Sequence, residues 1–391
     1  MSKKNIVQFL PYFPPHKGGL ETHAEQWAKW WVKKGFGEVF NMITNFDQNY
    51  NDKEKIVFEG TIIGYREKGV ENLVVPSLEI ISNFPVYKVW SREYKIILRY
   101  LKSKKIGIVI TRTRFFLTTF IGGVFSRKNK IRWCHIEHGS DYVKLNSAFK
   151  SAVAKIYDKI IGKWIFKKTD IIVGVSNACK DFIRREFTER KVEVLYRGVD
   201  FPKIKNYTFL TEKYSDKIIV GFVGRLYKWK NIETLIEAYR GLDKVLKNKI
   251  QLVIVGDGED LDRLIQLDIK KDIYFTGGKS FEEALELQSQ FDIHFHTSSP
   301  GGGLATTLLQ AMKLGCFIIA TPYEGANEVI VDEKNGILLK DDSLKEIQSS
   351  LIKSIDMLEK KKDFASVNQG VIKNKFRWEV NIEKYYKLFD Y

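Results

Sequence analysis

Short apolar runs that end in glycine or small polar residues, each followed by a stretch of helical periodicity, recur along the chain and confine it to one fold class. Runs at residues 6–10, 39–44, 107–111, 131–137, 170–175 and 192–196 read as strands, and the segments between them are long enough to cross back over a sheet. A second series restarts at residue 218 and includes 252–255 and 273–275. Strands joined by such crossovers lie parallel, so the chain is expected to be α/β, with parallel sheets flanked by helices. Ligands of such sheets gather at the carboxyl ends of the strands, and the residues there carry the functional reading.

Three of those ends suit phosphate. Residues 294–331 read as a strand, a loop holding Gly301, Gly302 and Gly303, an apolar helix from Thr306 to about Leu314, and a second strand. Backbone N–H groups of a glycine-rich loop that opens a helix can converge on an anion, because no Cβ blocks approach and the helix N-terminus is partly positive. After the strand at 218–223, Gly224 and Arg225 lead through a short basic loop to Lys230 and a helix near Asn231, a spacing that brings a guanidinium fork and an ammonium to one helix mouth. The first strand leads through a turn ending in Gly18 and Gly19 into a helix over 20–34. Leu20, Ala24, Trp27, Ala28 and Trp31 form its apolar stripe, with Glu21, Glu25, Lys29 and Lys33 on the other side.

Other strand ends carry Thr111-Arg112-Thr113-Arg114, the segment 135–140 and Tyr196-Arg197-Gly198. His135 and Glu137 fall on one face of their strand and His138 on the other, so they do not converge on a metal. His294 and His296 share a face, but two ligands are not a site. Asp260-Leu261-Asp262 opens a helix, where acidic residues complement the dipole. No metal site is expected.

Lysine and arginine number 64 against 48 acidic residues, a formal charge of +16 that draws anionic partners. No recognition helix, zinc finger or aromatic RNA-binding strand pair is evident, which argues against nucleic acid. Residues 86–105, and 149–168 in part, mix aromatic and aliphatic residues with Lys and Arg. That composition suits an anionic membrane surface, or else a basic solvent face on a helix packed into the core. Cys134, Cys179 and Cys316 are far apart and read as buried thiols. With no apolar run of about 18 residues and no signal-type cleavage site near the start, a cytoplasmic protein is expected, peripheral on the membrane face if the basic segments meet lipid.

The stretch 294–331 resembles the signature of family-4 retaining glycosyltransferases of the two-Rossmann, glycosyltransferase-B fold. That pattern is a Pro-Ser-x-x-Glu-Gly-[Phe/Leu]-[Gly/Pro] loop followed by Leu-Leu-Glu-Ala-Met and Gly-x-Pro-Val-Ile-Ala-Thr. The Gly-Gly-x-Glu of Gly18, Gly19 and Glu21, the His138-Gly139 pair, and the Gly-Arg-x-x-x-x-Lys of Gly224, Arg225 and Lys230 match the same family. Two positions depart: where the family has glutamates eight residues apart, this chain has Gly302 and Gln310. Arg197 replaces a usual asparagine.

The resemblance implies two Rossmann-like domains facing each other across a cleft. The N-terminal one, 1–203, would bind acceptor, the second, 204–375, would bind nucleotide sugar, and a terminal helix, 376–391, would return to the first; the polar stretch after Phe201-Pro202 reads as the linker. The implied activity is transfer of a sugar, with retention, from a nucleoside-diphosphate sugar to a glycan or polyprenyl-phosphate-linked acceptor, with no cofactor. His138, Arg225 and Lys230 take the catalytic roles, and Gly18, Gly19, Glu21, Gly224, Gly303, Leu304, Ala305, Thr306, Thr307 and Gln310 contact the donor. In the family the first glutamate lies near the donor sugar and the second accepts from the ribose hydroxyls. Gln310 keeps an acceptor oxygen, whereas Gly302 offers only backbone. The losses leave open a catalytically silent sugar-nucleotide or glycan-binding subunit, or another chemistry such as epimerisation or phosphorolysis.

Overall fold

The computed structural model describes residues 3–390 apart from 17, 47, 82–83, 144–147, 202–203, 205–206, 300–301, 332 and 361–362. Gly301 and part of the expected linker therefore lie outside the described residues. The chain divides into two units, Met1–Gly198 with Trp378–Tyr391, and Val199–Arg377. The first crossing falls a few residues before the expected boundary at 203. Val199 already belongs to the second unit, where its N–H donates to the carbonyl of Phe376 (2.8 Å) and so ties the two crossing segments together.

In the first unit nine strands form one sheet in the order Glu193–Val194, Ile171–Gly174, Arg132–Glu137, Ile106–Arg112, Asn5–Phe9, Val39–Thr44, Val70–Val75, Thr61–Glu67, Glu54–Phe58. The first seven pair in parallel, but Thr61–Glu67 and Glu54–Phe58 extend the sheet antiparallel, and Ser77–Ile81 pairs with Phe84–Tyr87 as a separate hairpin. The sheet is thus mixed rather than wholly parallel. The helix Gly19–Lys33 buries Ala24, Trp27, Ala28 and Trp31, as its periodicity predicts. The helix Trp378–Asp390 packs on it, with Tyr385 edge-on to Trp27 (centroids 5.7 Å) and Tyr386 tilted against Phe36 (4.3 Å).

The second unit is a wholly parallel six-stranded sheet in the order Tyr274–Phe275, Ile250–Val255, Ile218–Val223, Ile293–His296, Phe317–Ala320, Gly336–Leu338. Its strands read as continuous apolar runs because helices cover both faces. All three cysteines are buried and unbridged. No helix among the described residues is long and apolar enough to cross a membrane.

Candidate active site

In the N-terminal unit the strand end at Glu137 is organised by that residue. Glu137 is fully buried, and its Oε1 accepts the backbone N–H groups of His138 (2.9 Å) and Gly139 (2.8 Å), which fixes the turn that presents His138. Its Oε2 meets Arg114 (3.2 Å) and His135 Nε2 (3.3 Å), and Arg114 continues to Asp158 (2.8 Å). Burial alone would raise the Glu137 pKa, but Arg114, His135 and the backbone donors outweigh it and hold the carboxyl well below its usual range. Glu137 is therefore a backbone clamp.

His138 stacks edge-on with His23 (centroids 4.8 Å, 88°), which comes from the helix Gly19–Lys33. Arg112, fully buried, donates to His23 Nδ1 (2.8 Å) and to Gln8 Oε1. An arginine can only donate, so Nδ1 accepts and the His23 proton sits on Nε2. Burial, then the positive charge of Arg112, pushes both histidines well below the usual imidazole pKa, so both are neutral at physiological pH. His138 Nε2 is enclosed and has no hydrogen-bond partner among the described residues. Burial also lowers Arg112 to about 10, and burial with repulsion from Arg112 lowers Arg197 to about 10. Glu21, expected on the solvent side, is instead buried. Its carboxylate folds back over the helix N-terminus, where a Cβ on Gly18 would lie 2.2 Å from Glu21 Oε2.

In the C-terminal unit the loops after the first two strands of the sheet touch backbone to backbone. Gly256 has φ +146, and a Cβ there would lie 1.8 Å from the Gly224 carbonyl oxygen, so only glycine allows the contact that sets the Gly224-Arg225 turn. Arg225 is exposed, and its guanidinium makes no hydrogen bond or ion pair among the described residues. Lys230 ends a short 3₁₀ turn stitched to the next strand end, with its carbonyl accepting from Thr297 Oγ1 (2.9 Å) and that of Trp229 from the Ser299 N–H (2.8 Å). Its ammonium donates to Ser298 Oγ (2.8 Å) and pairs with Glu324 Oε2 (3.2 Å). Arg225 is thus an exposed cation, while Lys230 is largely enclosed and already paired.

Glu324 was not singled out by the sequence. Its carboxylate also takes His296 Nε2 (2.8 Å). Burial opposes its ionisation, but Lys230 and His296 prevail and hold it at about 2; burial in turn lowers Lys230, partly offset by Glu324. The helix Thr306–Leu314 starts at Ala305, which supplies no side-chain cap, and its N-terminus carries partial positive charge. Gly303, Ala305, Thr306 and Thr307 at its entry are partly exposed, while Leu304 is buried. Gln310 is buried on the same helix, and its amide makes no hydrogen bond among the described residues. Asp260 is spent on a two-point pair with Arg263 (2.6 and 2.8 Å). His23 and Glu324 escape sequence reading because each acts through a neighbour distant in the chain, and Arg112 shows there only as part of a strand end.

The chain is similar to known proteins along nearly its whole length. Residues 17–202 match the model for Glycosyltransferase Family 4, and residues 204–369 that for Glycosyl transferases group 1. An uncharacterized glycosyltransferase of Methanocaldococcus jannaschii is 40% identical over 404 aligned residues, covering 100% of this chain and 99% of that protein. An Escherichia coli UDP-Gal:alpha-D-GlcNAc-diphosphoundecaprenol alpha-1,3-galactosyltransferase is 25% identical over 82% of this chain and 83% of its own. Among solved structures, sucrose-phosphate synthase from Thermosynechococcus elongatus superposes with a TM-score of 0.81 at 16% identity, covering 99% of this chain and 98% of that one. With both halves matched and a full-length relative at that identity, the chain belongs to the group 1, family 4 glycosyltransferases of the glycosyltransferase-B fold and is an enzyme of glycosyl transfer.

Proposed function

We propose that the enzyme transfers a sugar, with retention of anomeric configuration, from a nucleoside-diphosphate sugar to a lipid-linked glycan acceptor. The observation that carries the donor assignment is the presence, at the strand ends of one parallel sheet, of an exposed Arg225, a largely enclosed Lys230 and the N-terminus of the helix Thr306–Leu314. As the bond from the sugar's anomeric carbon to the diphosphate breaks, negative charge grows on the departing oxygen. Arg225, Lys230 and first-turn N–H groups supply positive charge and donors for it. The acceptor oxygen forms the new bond to the anomeric carbon on the face the diphosphate leaves, and its proton passes to the departing diphosphate. Gln310 accepts from the ribose hydroxyls. In the N-terminal unit, neutral His138, fixed by Glu137, offers its enclosed Nε2 to a sugar hydroxyl, beside His23 of the helix Gly19–Lys33.

The acceptor half of the proposal draws on the E. coli relative, whose name specifies a diphosphoundecaprenol substrate, and on one helical surface of this chain. Val153, Ile156 and Ile160 are 51%, 60% and 64% exposed, and Lys155, Lys159 and Lys163 beside them are exposed too. Apolar residues at i, i+3 and i+7 flanked by lysines match a surface that lies on anionic lipid. The segment 86–105 contributes less, because Tyr94 and Tyr100 of the helix Arg92–Ser103 are buried and Trp90, 63% exposed, is the aromatic ring left outside.

The stereochemical claim is checked by proton NMR of the first sugar released or transferred from an α-linked donor. An α-configured initial product is expected; a β-configured one would reject retention.

A further inference from the structure

Glu324 stands where glycine would be the easy residue, and glycine stands where the family pattern has glutamate. Glu324 has φ 50 and Gly325 φ 74, two successive left-handed residues, a conformation that disfavours any side chain. The glutamate is nevertheless present and turned inward, 4% exposed, with Oε2 engaged by Lys230 (3.2 Å) and His296 (2.8 Å). Oε1 is the atom nearest Gly302: a Cβ built on Gly302 would lie 2.1 Å from it and 2.8 Å from Cδ. While Glu324 holds this position, no residue with a side chain fits at 302.

We infer that Glu324 is the carboxylate that receives the donor sugar's hydroxyl groups in this chain, supplied from the loop after the strand Phe317–Ala320 in place of the glutamate that the family carries at position 302. The inference rests on the sugar-nucleotide reading above. Three observations converge on it. The carboxylate lies against the glycine loop at the carboxyl ends of two adjacent parallel strands, where ligands of such sheets bind. It contacts Lys230, the residue assigned to the diphosphate, so it lies next to the group that carries the sugar. A left-handed backbone is also retained for glutamate at a place where glycine would relieve it. Exchange of the two residue types between positions 302 and 324 keeps one carboxylate in one space. The specificity it confers is for a sugar with hydroxyl or amide donors facing that carboxylate, and a deoxygenated ring position there would be discriminated against.

The test uses the full chain and two ligand pairs, UDP with UDP-galactose and GDP with GDP-mannose, titrated calorimetrically into wild type, Glu324→Gln, Gly302→Glu and the double variant Gly302→Glu/Glu324→Gly. Binding of none of the four to wild type would fault the sugar-nucleotide reading itself, before Glu324 comes into question. With one pair bound, Glu324→Gln should leave nucleoside-diphosphate affinity within about threefold, weaken the added affinity due to the sugar about tenfold, and lower kcat about thirtyfold. Gly302→Glu forces two carboxylates together and should fall below about a hundredth of wild-type turnover, whereas the double variant should recover to within about tenfold of wild type. Equal weakening of diphosphate and sugar nucleotide by Glu324→Gln, or a double variant no better than Gly302→Glu alone, would assign Glu324 to bracing Lys230 and overturn the inference.

Discussion

Arg225 and Lys230 share a loop and differ in environment, and that difference decides how their substitution reads. Arg225 is exposed, so its removal costs the fold little and reports on ligand alone. One charge-assisted contact to a partly desolvated phosphate is worth roughly 1.5–3 kcal/mol, and Arg225→Ala should weaken nucleoside-diphosphate binding about ten- to a hundredfold with an unchanged thermal midpoint. Lys230→Ala instead strands Glu324 as a buried charge, and a combined loss of stability and affinity is expected. His138→Ala should lower turnover far more than nucleotide affinity, while Gln310→Glu should leave activity within about tenfold or raise it. Steady-state kinetics beside calorimetry separates the two effects. The placement of the motif residues at strand ends and helix entries was legible from their spacing. Glu324 was not, since its significance lies in a left-handed backbone and in a neighbour across the sheet that spacing does not encode.

At the scale of elements, most strands of the C-terminal sheet and of the parallel part of the N-terminal one are evident in the sequence because both faces are buried, although Gly336–Leu338 and Val70–Val75 were not marked there. The strands Glu54–Phe58 and Thr61–Glu67 escaped notice for the opposite reason. They form the sheet's edge, half exposed, with Arg66 paired to Glu71 (2.7 Å) and to Glu54, and such charges blunt the apolar signal while guarding the edge from further pairing. The Gly224–Gly256 contact makes a sharper prediction about an element boundary. Gly256→Ala brings Cβ against a carbonyl oxygen in a backbone region open to glycine, and a stability loss of about 2–3 kcal/mol is expected, measured as a shift in the denaturant midpoint at constant slope. An unchanged midpoint would mean that the two loops do not touch.

For the whole molecule, four histidines with lowered pKa values shape the response to acid. Burial lowers His23 and His138 well below 6.5, lowers His294 to about 3, and lowers His296 against the pull of Glu324. Their folded pKa values lie below the unfolded ones, so the unfolded chain takes up protons first. Their stabilisation is complete above pH 6.5 and is lost as pH falls, with a limiting slope of about 1.4 kcal/mol per pH unit for each histidine. The thermal midpoint should therefore be flat above pH 7 and drop steeply between pH 6 and 4, with a shallower drop in His294→Gln. The formal charge of +16 acts over a longer range. Binding to vesicles should rise with anionic lipid, fall with salt and weaken in Ile156→Ser/Ile160→Ser, and equal binding to neutral and anionic vesicles would argue against a lipid-facing helix.

The most direct test of the central claim is release of nucleoside diphosphate from UDP-galactose, UDP-glucose, UDP-N-acetylglucosamine and GDP-mannose by the purified enzyme, with Arg225→Ala measured in parallel. Slow hydrolysis of at least one donor is expected without acceptor, reduced about tenfold or more in Arg225→Ala at subsaturating donor. Hydrolysis that Arg225→Ala leaves unchanged, or no release from any donor despite tight nucleotide binding, would contradict it.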